Sequence, residues 1–372
     1  MADLGENIQK LGFGLMRPPV MGDGGIDLEQ VEEMTDRFLA AGFTYFDTAY
    51  GYLDGRSEEM VRKVLVERYP RERFLLATKL PAWLGPPTRE EARAMFDTSL
   101  KRTGAGYFDF YLLHNVGDAR TQYFDDYGIW DYLAEKKKQG LIRHLGFSFH
   151  DKAEVLDQVL TRHPEMEFVQ LQLNYADWES ITIESRKCYE TARHHGKPII
   201  VMEPVKGGAL AKLPPEPARI LQEAEPDASQ ASWALRFAAG LEGVVTVLSG
   251  MSSLEQMEEN IKTFQNLAPM DERERTVLER ARQALVGVPS IPCTDCRYCV
   301  KGCPMEIQIP KIMASMNLNL VYGNMEAAKV KYGFSTRTAK ASQCVACGAC
   351  ERACPQHISI IRELKRAAET FE

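Results

Sequence analysis

The runs FDFYLLH (108–114), IWDYLAEKKK (129–138) and HLGFS (144–148) make up one strand–helix–strand unit. The first and last are short apolar runs bounded by turn signals, and the middle run is amphipathic at helical spacing. Similar strand runs occur at Leu11 to Met16, Phe43 to Asp47, Phe74 to Lys79, Phe168 to Leu173, Pro198 to Met202 and Val244 to Leu248, for eight strands in all. Helical stretches fall between them at Ser57 to Tyr69, Arg89 to Arg102, Ala153 to Thr161, Ile183 to His194, Ser229 to Ala239 and Leu254 to Phe264. Eight such units in this length predict an α/β fold, a (β/α)8 TIM barrel. The stretch Pro214-Pro215-Glu216-Pro217 is expected to be a loop, because proline breaks regular helix.

After Gly287-Val288-Pro289 the alternation stops, so a barrel over residues 1–288 and a small domain over 289–372 are expected. The second segment carries Cys293, Cys296, Cys299 and Cys303, then Pro304, and Cys344, Cys347, Cys350 and Cys354, then Pro355. Each run reads C-x2-C-x2-C-x3-C-P, which resembles the bacterial-type two-cluster ferredoxins. That resemblance implies two [4Fe-4S] clusters, the fourth cysteine of each run reaching across to the other cluster. Cys293, Cys296, Cys299 and Cys354 would hold one, and Cys344, Cys347, Cys350 and Cys303 the other. Structural zinc prefers two separated cysteine pairs, and disulfides require an oxidising compartment. Ile309, Ile312, Met313, Met316 and Leu320 recur at helical spacing, as do Ile361, Leu364, Ala368 and Phe371, so this ferredoxin-type domain is expected to be mainly α-helical. The ninth cysteine, Cys188, reads as a small buried apolar residue.

The chain has 372 residues, 45% hydrophobic and 26% charged, with a formal charge of -7. This is the composition of a soluble globular protein, and the acidic balance argues against nucleic acid. From Pro289 onward 11 Lys and Arg outnumber 7 Asp and Glu, which leaves -11 on the first 288 residues. The basic excess offsets the anionic charge of thiolate-bound clusters. No charged-then-apolar leader and no apolar stretch of bilayer length is visible, so a cytoplasmic protein with no membrane partner is expected.

Catalytic side chains of such barrels project from the C-terminal ends of strands. The second strand ends in Phe46-Asp47-Thr48-Ala49-Tyr50-Gly51-Tyr52, the third in Ala77-Thr78-Lys79 and the fourth in Leu112-Leu113-His114. Asp47, Tyr52, Lys79 and His114 resemble, in order and type, the tetrad of the aldo-keto reductase family. Leu11-Gly12-Phe13-Gly14, Gly140-Leu141-Ile142-Arg143 before Gly146-Phe147-Ser148, and Glu255 through Asn260 are similar to segments of that family too, and the resemblance spans about residues 8 to 285. A phenol serves as an acid near neutral pH once its pKa is lowered; a buried ammonium lowers it, and a carboxylate keeps that ammonium charged. Tyr52 is therefore the expected general acid, Lys79 its tuner, Asp47 the anchor of Lys79, and His114 the donor that positions a carbonyl oxygen.

The resemblance further implies a nicotinamide dinucleotide across the barrel mouth. Ser148 and Gln170 would meet its carboxamide, and Met202 stands where an aromatic commonly stacks. Ser249, Gly250, Ser252 and Ser253 lead into a helix whose amide donors suit a phosphate, with Ser252 and Glu255 as a capping box. Glu259 and Asn260 would face the adenine. Gly250 and Gln256 fall where the family often places cations for a 2′-phosphate, so NADP and NAD are both carried forward. Trp83, Tyr50, Trp178 and Phe149 are candidates for an aromatic substrate wall.

A nicotinamide transfers two electrons together, whereas a four-iron cluster takes one. Three readings follow. The barrel reduces a small-molecule aldehyde or ketone, or oxidises the alcohol, while the clusters are structural or redox-sensing. Alternatively, a flavin or other mediator links the clusters to the barrel and to a ferredoxin or flavoprotein partner. In the third, non-enzymatic reading the clusters relay electrons and the barrel is a docking scaffold.

Overall fold

The computed structural model describes residues 4, 8–84, 86, 88–293, 297–354 and 356–372. The chain divides into two compact units: Met1–Pro204 with Ala234–Met270, and Val205–Trp233 with Asp271–Glu372.

All eight strands belong to the first unit: β1 Leu11–Gly14, β2 Tyr45–Asp47, β3 Leu75–Leu80, β4 Phe108–Val116, β5 Ile142–Phe149, β6 Phe168–Gln172, β7 Ile199–Met202 and β8 Val244–Ser249. Each pairs in parallel with the next, and β8 returns to β1 through Leu11–Val247, which closes the barrel. Parallel strands are covered on both faces, which is why these runs are almost wholly apolar. Tyr45, Leu75, Phe110, Phe168, Ile200 and Leu248 pack together in the core, and Phe110 and Phe168 meet edge to face at 5.3 Å. Gly146 makes the β5–β6 approach feasible, since a Cβ there would fall 2.4 Å from the Phe168 carbonyl oxygen.

The surrounding helices follow their local signals. Arg89–Thr103 starts in a reciprocal cap between Thr88 and Glu91 and stops at Gly104 in the left-handed region. Leu28–Ala40, N-capped by Asp27, and Asp118–Asp126, after β4, add to the helices expected from sequence.

Glu167, just before β6, accepts from the Leu145 N–H at 2.8 Å, meets His144 Nδ1 at 3.2 Å and pairs with Lys137. Burial opposes the carboxylate, but the hydrogen bonds from His144, Leu145 and Lys137, with the Lys137 charge, hold Glu167 down at about 2. A depressed carboxyl contributes stability above its unfolded value near 4.5 and loses it as pH falls toward about 2. The urea midpoint of barrel unfolding should therefore drop more steeply below about pH 4.5 in the native protein than in Glu167→Gln. Parallel curves would show that Glu167 carries no such linkage.

The second unit is helical. Pro215–Ala224 packs against Glu272–Val286, and Ile309–Tyr322 packs against both Met325–Ser335 and Ile360–Phe371. Ile307, Ile309, Ile312, Met313, Met316, Tyr332, Ile360 and Leu364 form its core. The proline-rich stretch corrects the sequence expectation: Pro215 opens a helix rather than sitting in a loop. The first helical residues have no intrahelical acceptor for their N–H, so proline costs nothing there, and Pro215 and Pro217 lie in that first turn. No helix among the described residues is long and apolar enough to cross a membrane.

Candidate functional site

The ends of β2, β3, β4 and β6 converge on one buried ion pair. Lys79 is fully buried on β3, and its Nζ lies 2.5 Å from Asp47 Oδ1 and 2.7 Å from the Thr48 carbonyl oxygen. Gln170 on β6 donates to the other Asp47 oxygen at 3.1 Å. Tyr52 opens a short turn after β2 in which Leu53 and Asp54 take the left-handed conformation, and its ring centroid lies 5.0 Å from Lys79 Nζ. The phenol lies close enough to Lys79 to feel its charge. The His114 ring stands edge to face with both Tyr52 and Trp83, 5.9 Å from each, and Trp83 Nε1 donates to the His114 carbonyl oxygen at 2.6 Å.

The electrostatics follow from this burial. Desolvation pushes Asp47 up, with the Lys79 charge pulling it back. Desolvation also opposes the Lys79 ammonium, but Asp47 and Tyr52 outweigh it, so Lys79 titrates above its ordinary value and stays charged. His114 is held well below the ordinary imidazole value, first by burial and then by the charge of Lys79, and is neutral. Its Nδ1 is buried with no hydrogen-bond partner among the described residues. Tyr52 departs from the sequence expectation of a lowered phenol. Burial raises it, Lys79 pulls down, and Asp47 and Glu203 add to the rise. Lys79 thus limits the rise, and Tyr52 is a protonated phenol beside a cation.

In the second unit the cysteines stand around two cavities. One is lined by Cys293, Cys299 and Cys354 with Ile309, Met313 and Ile360. The other is lined by Cys303, Cys344, Cys347 and Cys350 with Ile307 and Leu364. The last cysteine of each run thus faces the other run's cavity. Cys296 lies outside the described residues. No three described Cys, His, Asp or Glu side chains close on a single-ion site. Thiol donors around an apolar hollow fit a four-iron cluster better than one tetrahedral ion. Asn317 fastens the approach to the first run by exchanging two 2.8 Å hydrogen bonds with the Ile291 backbone.

The aldo/keto reductase family matches residues 10–281 of this chain. The chain belongs to that family. A 4Fe-4S dicluster domain matches residues 292–359, so this aldo/keto reductase domain is followed by an iron–sulfur domain. An uncharacterized oxidoreductase of Schizosaccharomyces pombe is 27% identical over 268 residues, 68% of this chain and 81% of that protein. An aldo-keto reductase of Mycolicibacterium vanbaalenii is 29% identical over 255 residues, 66% and 82% of the two chains. Among solved structures, the holo form of a Bacillus halodurans aldo-keto reductase has a TM-score of 0.58 at 25% identity, covering 73% of this chain and 91% of its own. A Klebsiella pneumoniae aldo-keto reductase in complex with NADPH has a TM-score of 0.59 at 22% identity, covering 73% and 90%. The chain is an oxidoreductase with a closed eight-stranded parallel barrel.

In this aldo/keto reductase the positions expected to meet a dinucleotide lie on β5 to β8 and the helix after them. Ser148 neighbours Gln170 in register, and its Oγ accepts from the Asn115 N–H at 2.8 Å. Gln170 also positions Asp47, a role the sequence did not suggest. Met202 ends β7 opposite Gln172. Ser249 ends β8 and accepts from buried Asn260 at 2.9 Å, while Glu259 beside it is exposed. Gly250 follows Ser249 directly.

The helix after β8 starts at Leu254 as expected, but its cap differs. Ser253, not Ser252, is the cap of Leu254–Gln265, accepting from the Gln256 N–H, and Gln256 Oε1 in turn accepts from the Ser252 N–H at 2.8 Å. Ser252 instead donates its hydroxyl to the Arg17 carbonyl oxygen. Of the four proposed wall aromatics, Trp83 is the one in ring contact with His114. Phe149 is buried against Phe147, Trp178 packs on Tyr189 and Phe237, and Tyr50 lies under Arg102. Sequence reading missed Arg120, whose guanidinium lies 4.8 Å from the Trp83 ring centre, because its helix was not foreseen. Cys188 is buried as expected, and its thiol is pushed up to about 12 by burial.

Proposed function

We propose that the barrel reduces an aldehyde or ketone with NADPH or NADH, or runs the reverse alcohol oxidation, and that Tyr52 exchanges the proton at the substrate oxygen. The observation that carries this reading is the fully buried Lys79–Asp47 pair set beside the Tyr52 phenol and a neutral His114. A bound nicotinamide supplies the hydride. The chain's own residues do the rest. Tyr52, protonated in the resting site, gives its proton to the carbonyl oxygen as negative charge builds there. Lys79 stabilises the phenolate left behind, and Asp47 with the Thr48 carbonyl keeps Lys79 charged and fixed. Neutral His114 donates a hydrogen bond that orients the carbonyl.

Ser148, Gln170, Met202, Ser249, Gly250, Ser252, Ser253, Gln256, Glu259 and Asn260 are the proposed dinucleotide contacts. Purified protein should oxidise NADPH or NADH only when a carbonyl compound is added. Aldehydes and ketones that elicit no cofactor oxidation, and alcohols that elicit no reduction, would rule the reading out.

We further propose two [4Fe-4S] clusters, one held by Cys293, Cys296, Cys299 and Cys354 and the other by Cys344, Cys347, Cys350 and Cys303, in a domain running from about residue 289. When bound, such clusters carry single electrons. They stand outside the hydride step and serve structure or redox sensing. Crossed ligation has a specific consequence. Cys354→Ser should remove about half of the iron and sulfide, and adding Cys293→Ser should remove little more, because both thiols serve the same cluster. Loss of nearly all iron in the double variant would show that each run holds its own cluster.

A further inference from the structure

The cysteine module is built twice over. Cys293, Cys299 and Cys303 recur as Cys344, Cys350 and Cys354, and the backbone recurs with them. Arg297 takes the left-handed conformation at φ 62° just before the short helix Tyr298–Lys301, and Gly348 takes it at φ 74° just before Ala349–Arg352. The Glu306 N–H donates to the Cys303 carbonyl oxygen and the His357 N–H to the Cys354 carbonyl oxygen, both at 3.1 Å. Ile309 then donates to Ile307, and Ile360 to Ile358, both at 2.8 Å. By this repeat Gln356 corresponds to Met305, and Arg297 to Gly348. The cysteines match in exposure too: Cys299 and Cys350 are buried, while Cys293, Cys344, Cys303 and Cys354 are half-buried.

The linings do not match. Gln356 and Arg297 both line the cavity of Cys293, Cys299 and Cys354. The cavity of Cys303, Cys344, Cys347 and Cys350 has Met305 in place of Gln356, and apart from its thiols the described residues lining it are all apolar. A thioether there replaces an amide, and a glycine without a side chain replaces an arginine. Arginine is strained in the left-handed region where glycine is not, and strain of that kind is found where a side chain is in use. A cluster gains negative charge on reduction, so N–H donors and positive charge beside it favour the reduced form. The guanidinium carries five N–H donors and stays charged, so a partner elsewhere does not exhaust it.

We propose that the site of Cys293, Cys299 and Cys354 has the higher one-electron reduction potential of the two, set by Gln356 and Arg297. This rests on the reading of two clusters with crossed ligation. It gives the iron–sulfur domain two redox set points instead of one.

The test is an anaerobic titration of the holoprotein with dithionite, followed by electron paramagnetic resonance, with iron and sulfide counted. The native protein should show two one-electron couples and at least a tenfold preference for the first site, a separation of about 59 mV or more. Combining Gln356→Met with Arg297→Gly gives the first site the residues of the second, and should bring the higher couple down toward the lower one while the lower stays in place. Met305→Gln, made alone on the opposite site, should raise the lower couple. A higher couple that does not move in the double variant, or a lower couple that does not move in Met305→Gln, would overturn the proposal. Two clusters of equal potential in the native protein would overturn this inference alone. Iron and sulfide for a single cluster would remove the two-cluster reading and this inference with it.

Discussion

Tyr52→Phe should lower kcat for carbonyl reduction by about 10²–10⁴-fold while the dissociation constant of the nicotinamide cofactor stays nearly unchanged. The substitution removes one oxygen and leaves the ring that packs against His114 and faces Lys79. The expected loss falls on kcat because proton donation matters as charge develops on the substrate oxygen, not in ground-state binding. Burial raises the native phenol above its ordinary value, so it stays protonated across the neutral range. The variant should also lose any alkaline fall in the reduction rate that comes from Tyr52 ionising. Steady-state kinetics against pH, with cofactor binding by fluorescence, checks both parts. Unchanged kcat would remove Tyr52 from the role of acid.

Lys79→Met should cost more than activity. Lys79 Nζ is the cation on Asp47 Oδ1, and both residues are buried. Without it the Asp47 carboxylate keeps Gln170 as its remaining side-chain hydrogen-bond donor among those described, and a buried ion left without its partner costs about 3–5 kcal/mol. Reduction should fall together with stability, because the phenolate loses its neighbouring cation. Asp47→Asn in the same background should recover part of the stability and none of the rate, since the amide relieves the buried charge but offers Tyr52 no ammonium. Urea titrations of the four proteins in this cycle, with kcat measured on each, check the claim. A Lys79→Met protein as stable as the native one would show that the pair carries little of the fold.

The barrel was legible in the chain because parallel strands buried on both faces appear as apolar runs, and each expected strand lies within a few residues of an observed one. Asp47, Tyr52, Lys79 and His114 could be grouped from the sequence because they sit in or just after barrel strands, where the fold leaves little freedom. Other features depend on context that a linear pattern does not carry. Pro215 and Pro217 look like helix breakers until their place in a first turn is known. Ser252 and Ser253 are equivalent caps by composition, and only the reach of Gln256 decides between them. The direction of the Tyr52 shift depends on how deeply the phenol is buried, and Lys79 alone suggested the opposite sign. Trp178 and Phe149 had the right chemistry for a substrate wall but pack into the protein, and Arg120 was hidden with its helix.

The most direct measurement is a visible spectrum of the anaerobically purified protein, with iron, sulfide and flavin quantified, before and after mixing with NADPH or NADH and again after adding an aldehyde. The account predicts iron and sulfide sufficient for two four-iron clusters, cluster absorbance that does not bleach with the nicotinamide alone, and cofactor oxidation that starts only when the aldehyde is present and is lost in Tyr52→Phe. Bleaching of the clusters by NADPH or NADH with no carbonyl added would contradict it, because electrons would then pass from the barrel to the iron–sulfur domain through a mediator such as a flavin.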